Sequence, residues 1–129
     1  DNCAAAVAVA KEFGLNDKLI QRGFDNLQIT KNRLQVLTGS KGETIISDVY
    51  NSNPTAAIKA IEILKDFPAQ VKKILVLGDM LELGEKEISL HLILKKPIEK
   101  AAFDEVYLVG PIMKKLAAQI QAHWYDKLF

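Results

Sequence analysis

The sequence predicts an α/β fold: an open, mostly parallel sheet flanked by helices, preceded by a helical segment left from another domain. Three observations lead there. Short apolar runs at Lys73–Leu77 and Val106–Val109 each end at a glycine, Gly78 and Gly110. Continuous runs of that kind fit strands buried on both faces of a parallel sheet. Helical patterns separate them, and strand–helix–strand alternation over short connections selects an open sheet with right-handed crossovers. The residues before Thr30 carry helical patterns alone. A boundary near Thr30–Asn32 is therefore expected, with residues 1–30 as the tail of one domain and 31–129 as the next.

Taken in order, residues 2–13 are rich in alanine and apolar almost all round, which predicts a buried helix. Gly14 is placed to cap its C-terminus. Asp17 can cap a second helix, whose Leu19, Ile20 and Phe24 form an apolar stripe. Arg33–Leu37 and Glu43–Val49 flank the turn signal Gly39-Ser-Lys-Gly42 and read as a hairpin. Pro54–Phe67 is helical, with Ile58, Ile61 and Leu64 on one face and Pro54 suited to the first turn. Glu85–Ala102 reads as a helix that Pro97 kinks or divides. Met113–Ala122 is a last helix.

Composition narrows the function classes. The 129 residues are 49% hydrophobic and 26% charged, with a formal net charge of +1, an ordinary globular balance. Nothing in it calls for nucleic acid or an anionic membrane as partner. The single cysteine, Cys3, excludes an internal disulfide. No apolar run reaches the ~20 residues of a membrane span. No signal peptide pattern is visible, and the opening Asp-Asn-Cys without Met reads as a piece of a longer chain.

In open α/β sheets ligands bind beyond the carboxyl ends of the strands, and two polar clusters fall there. The first is Ser47-Asp48-Val49-Tyr50-Asn51-Ser52-Asn53-Pro54. Asp48 could accept bonds from ribose hydroxyls, and Asn51 and Asn53 both donate and accept. The helix starting at Pro54 adds free N–H groups to the same space. The plainer alternative makes Asn53 a helix cap and Asp48 a turn former. The second cluster is Gly78-Asp79-Met80-Leu81-Glu82-Leu83-Gly84-Glu85, where Asp79 and Glu82 are candidate acids. His91, amid Ile88, Leu90, Leu92, Ile93 and Leu94, is more naturally structural than catalytic, and His123 beside Trp124 reads as a surface residue. No metal-ligand spacing, nucleophile elbow or Gly-x-x-x-x-Gly-Lys-[Ser/Thr] phosphate loop is present.

Asp-Val-Tyr-Asn-Ser-Asn-Pro at 48–54 and Val-Leu-Gly-Asp-Met-Leu-Glu-Leu-Gly-Glu at 76–85 together resemble the Mur ligase family, in particular the UDP-N-acetylmuramoyl-tripeptide–D-alanyl-D-alanine ligases. The family's first motif usually has Ala where Ser52 stands. The stretch 2–13 resembles the last helix of the family's central ATPase domain, and Lys31-Asn32-Arg33 its interdomain link. The resemblance implies a C-terminal Rossmann-like domain of a cytoplasmic, ATP-dependent ligase of peptidoglycan synthesis. ATP activates the tripeptide carboxylate as an acyl phosphate, and the D-alanyl-D-alanine amine attacks it. It further implies that Arg33 and Asp48 contact the nucleotide ribose, that Tyr50, Asn51 and Asn53 line the dipeptide side, and that Asp79 lies in the same cleft. Mg2+ would be held mainly by the central domain, so no metal ligand is expected here, and the fragment alone is expected to be inactive. Another Mur ligase, a folylpolyglutamate synthase-like domain or a stand-alone nucleotide or amino-acid binding module are the alternatives.

Overall fold

The computed structural model describes residues 2–28, 30–68 and 72–127. The chain divides into two compact units, Asp1–Thr30 and Lys31–Phe129.

The first unit holds α1 (Asn2–Glu12) and α2 (Asp17–Asp25). Gly14, at φ 74°, ends α1 as expected. Its N–H and that of Leu15 donate to the carbonyls of Lys11 and Ala10 at 2.9 and 3.0 Å, a Schellman closure that needs a left-handed residue. The expected burial of α1 is not found: none of its residues is buried. A helix that is apolar on every side needs a shell of other elements, and a unit of two short helices cannot build one. The cap of α2 also moves by one residue. Asn16, not Asp17, accepts the Leu19 N–H at 3.0 Å, while Asp17 begins the helix and pairs with Lys11 at 3.3 Å.

The second unit begins with the hairpin of β1 (Gln35–Thr38) and β2 (Thr44–Ser47), antiparallel with Gln35 opposite Ser47. Gly42, at φ 86°, makes the turn, which closes through the Gly39 N–H to the Glu43 carbonyl at 2.8 Å. α3 (Pro54–Asp66) follows with Pro54 as its first residue. It buries Ala57 and Ile61, while Ile58 and Leu64 pack at the margin of the core. Then come β3 (Ile74–Gly78), a 3-10 turn at Gly84–Lys86, α4 (Glu87–Leu92), α5 (Lys95–Ala101), β4 (Glu105–Val109), α6 (Met113–Ala117) and β5 (His123–Tyr125).

The sheet is parallel, with strand order β3-β4-β5 and Leu77, Leu108 and Trp124 in register. The period of two separates its faces. Leu75, Leu77, Val106, Leu108 and Trp124 belong to the core with Met80, Leu94, Ile98, Met113 and Leu116. The other face carries Ile74, Val76, Tyr107, His123 and Tyr125, and Tyr107 stacks on His123 at 4.9 Å and on Tyr125 at 6.3 Å. β3 was expected to be buried on both faces, yet Ile74 and Val76 are 45% and 57% exposed. An apolar run records that a strand is suited to cover on both sides, not that both covers are supplied.

Of the two outcomes open for the long helical pattern, the structure shows division: α4 and α5 are separate helices, and Pro97 lies in the second. It falls in the first turn of α5, where a missing N–H breaks no intrahelical bond. The last helix, expected to run to Ala122, is corrected: it stops at Ala117, and the chain returns to the sheet as β5. His-Trp-Tyr suits a strand by its aromatic residues, but at three residues it is too short for periodicity to reveal.

Candidate functional site

Only the second cluster lies at the carboxyl end of a strand of the parallel sheet; the first follows β2, which belongs to the separate antiparallel hairpin, so the open-sheet rule does not place it. The first grows from the end of β2. Asp48 is half-buried, and its Oδ1 accepts the Leu34 N–H at 3.1 Å. The Tyr50 N–H donates to the Asn32 carbonyl at 3.1 Å. The Arg33 guanidinium lies over the Tyr50 ring, 4.5 Å from its centroid. The structure thus brings Arg33, Asp48 and Tyr50 together. Asn51 is exposed in the same loop. Asn53 takes the plainer role first: its Oδ1 accepts the Ala56 N–H at 2.9 Å and caps α3.

The second cluster follows β3. The Asp79 carboxylate accepts the Ile112 N–H at 3.2 Å and the Met113 N–H at 2.8 Å, and the Asp79 N–H donates to Val109 at 3.1 Å. Asp79 therefore ties the end of β3 to the loop after β4 and caps α6 from outside. Among the described residues no hydrogen bond joins it to the group around Asp48. Glu82 is exposed and left-handed at φ 62°.

Sequence reasoning left two anchors of this region unassigned. His91 is fully buried. Its Nε2 accepts the Met80 N–H at 2.9 Å, and its Nδ1 lies 2.7 Å from the Glu87 carbonyl. That pairing requires the neutral ring with its proton on Nδ1. Gly110, at φ 113°, donates its N–H to Tyr125 at 2.9 Å and accepts from the Trp124 indole at 2.8 Å. A histidine on an apolar helix announces a buried polar contact, but its partner, eleven residues upstream, is set only by the packed fold.

The titrations that shift lie at the other end of the sheet. Lys72, foremost, and the Tyr107 hydroxyl hold the Glu105 carboxyl below its ordinary value, and the bond to Glu105 raises the Tyr107 hydroxyl. Glu105 begins β4, away from both clusters. A cavity of about 340 Å³ lined by Ile98, Phe103, Val106, Ile120 and Ala122 also lies at that end and includes no residue of either cluster. The Asp48 group is instead an open surface: Tyr50 is 63% exposed. Among the described residues no group of three or more His, Cys, Asp or Glu is placed to hold a metal ion. Among them, too, no helix is long and apolar enough to cross a membrane.

A parallel α/β domain with polar loops at its strand ends, one of them open to the outside, is the class of domain that contributes one wall of a ligand site. The chain belongs to the Mur ligase family: residues 32–128 match the Mur ligase, glutamate ligase domain. It is 35% identical over 127 residues to the UDP-N-acetylmuramoyl-tripeptide–D-alanyl-D-alanine ligase of Buchnera aphidicola subsp. Baizongia pistaciae, a match covering 97% of this chain and 27% of that protein. Among solved structures it is similar to MurF from Acinetobacter baumannii, with a TM-score of 0.83 and 28% identity over 95% of this chain and 27% of that one. It is also similar to the MurF ligase from Thermotoga maritima in complex with ADP, with a TM-score of 0.78 and 30% identity over 98% of this chain and 28% of that one. The chain thus spans little more than a quarter of the length of these three relatives.

Proposed function

We propose that this chain is the C-terminal part of an ATP-dependent ligase that joins D-alanyl-D-alanine to UDP-N-acetylmuramoyl-tripeptide in peptidoglycan precursor synthesis. The observation that carries the reading is the Arg33–Asp48–Tyr50 group: a polar, backbone-tied, outward-facing cluster at the end of β2 in a Mur ligase domain. Such a half-site is completed by another part of the enzyme. The unit Asp1–Thr30 is the tail of the central ATP-binding domain, which also holds the phosphates and Mg2+.

In this reading Arg33 and Asp48 meet the nucleotide ribose. Asn51 and Asn53 border the dipeptide side, with Asn51 as the open side chain of their loop. Asn53 caps α3 through Oδ1 and presents its amide N–H groups, while Asp79 holds the neighbouring strand-end loop. ATP phosphorylates the tripeptide carboxylate. The dipeptide amine then attacks the acyl carbon, and phosphate leaves. Closure of this domain aligns amine and carbonyl and keeps water from the acyl phosphate. The reaction belongs to the cytoplasm, where its nucleotide substrates are made, and this chain alone is inactive.

The test is ADP release by the complete polypeptide with UDP-N-acetylmuramoyl-tripeptide, D-alanyl-D-alanine and Mg-ATP. Release should need both substrates and collapse in Asp48→Ala and Asn51→Ala. No release from the folded enzyme overturns the assignment. Unchanged release in the variants removes these site residues while leaving the ligase in place.

A further inference from the structure

Asn32 and Leu34, on either side of Arg33, both adopt left-handed backbone, at φ 61° and 45°. Asparagine tolerates that conformation; leucine does so rarely. Three hydrogen bonds hold the turn: the Asn32 N–H to the Gln35 side chain at 3.1 Å, the Leu34 N–H to Asp48 at 3.1 Å, and the Tyr50 N–H to the Asn32 carbonyl at 3.1 Å. Strain in a surface segment persists only where its surroundings impose it. The product of this turn is the placement of the Arg33 guanidinium on the Tyr50 ring.

We propose that Tyr50 is a positioning residue for Arg33 and therefore serves the nucleotide side of the site rather than the dipeptide side. The proposal rests on the ligase reading above and moves Tyr50 away from the dipeptide side that the resemblance implies. A guanidinium held over a ring by its central carbon still carries N–H donors that can turn to oxygen atoms of a ligand. Tyr50 is largely exposed and is not a core residue. Its ring is a platform on the surface, and Arg33 occupies it. An arginine held this way binds a hydroxylated or phosphorylated ligand with less side-chain freedom left to lose.

Two measurements test this. In the 129-residue chain, ring-current shifts of the Arg33 side-chain protons should be present in the native protein and in Tyr50→Phe and absent in Tyr50→Leu. In the complete polypeptide, Tyr50→Leu should raise KM for ATP by roughly two- to fivefold, the effect of losing an exposed cation–π contact. KM for D-alanyl-D-alanine and kcat should stay near native, and Tyr50→Phe should restore KM for ATP. On an Arg33→Gln background Tyr50→Leu should add nothing, because both remove one interaction. A rise in the dipeptide KM, a Tyr50→Phe defect equal to that of Tyr50→Leu, or additivity with Arg33→Gln overturns the proposal. A native enzyme that folds and shows the ring-current shift but releases no ADP sinks the ligase reading, and the nucleotide assignment with it.

Discussion

Asp79 stands where a side chain on Gly110 would have to be: a Cβ built there falls 2.4 Å from the Asp79 carboxyl carbon and 2.5 and 2.6 Å from its oxygens. The pair explains two residues that the sequence displays without reason, the acid after β3 and the glycine after β4. The carboxylate needs that space to reach the Ile112 and Met113 N–H groups.

Gly110→Ala should therefore destabilise the domain by at least about 2 kcal/mol, combining left-handed strain with loss of charge-assisted bonds. Asp79→Ala should lose the bonds without the strain and cost less, and Asp79→Asn, which keeps one acceptor oxygen, less again. Urea denaturation of each variant checks the order. Equal stabilities of Gly110→Ala and the native chain would mean that the loop relaxes freely and the clamp is unimportant.

His91 makes a parallel prediction from burial. Replacing it with Phe fills the volume but leaves the Met80 N–H without its acceptor in a fully buried position. An unsatisfied buried donor costs about 1–3 kcal/mol. Hydrogen exchange at the Met80 amide should quicken in His91→Phe by more than at amides of α3. Uniform quickening across the domain would instead assign His91 to general packing.

How much of this was legible beforehand follows from which signals are local. The hairpin turn, the proline start of α3 and the closure by Gly14 are short-range chemistry, and each was readable from a few residues. The clusters at 47–54 and 78–85 were readable as clusters for the same reason. What each side chain does there was not. Asp79 finds its partners more than thirty residues on, and Arg33 finds Tyr50 through a strained turn that no propensity predicts. β5 was missed because a three-residue strand has no period, and its pairing with β4 supplies what its sequence does not. The mistaken burial of α1 has the same origin: apolar composition shows what a helix can tolerate, and neighbours decide what covers it.

Glu105 gives a prediction in pH. Its bonds to Lys72 and Tyr107 place the folded carboxyl below the ordinary 4.5. A depressed acid contributes stability above its unfolded value and loses it as pH falls through the folded value. The Tyr107 hydroxyl, raised above 10.0 by the same bond, contributes below that pH and loses its contribution as pH rises further. Glu105→Gln should flatten the decline of the melting temperature below about pH 4.5 relative to the native chain. A native and a variant curve that run parallel there would show that the bonds have no thermodynamic weight at this exposed edge.

Asn53 separates fold from function in one residue. Its Oδ1 caps α3, so Asn53→Ala should cost about 1 kcal/mol. Asn53→Ser and Asn53→Asp keep a capping oxygen and should hold native stability. Neither keeps the amide N–H groups that the proposed dipeptide contact uses. In the complete polypeptide both should therefore raise KM for D-alanyl-D-alanine while melting at the native temperature. If Asn53→Ser is native in both stability and KM, the cap is the whole role of the residue, and Asn51 is left as the side chain of that loop available to the dipeptide.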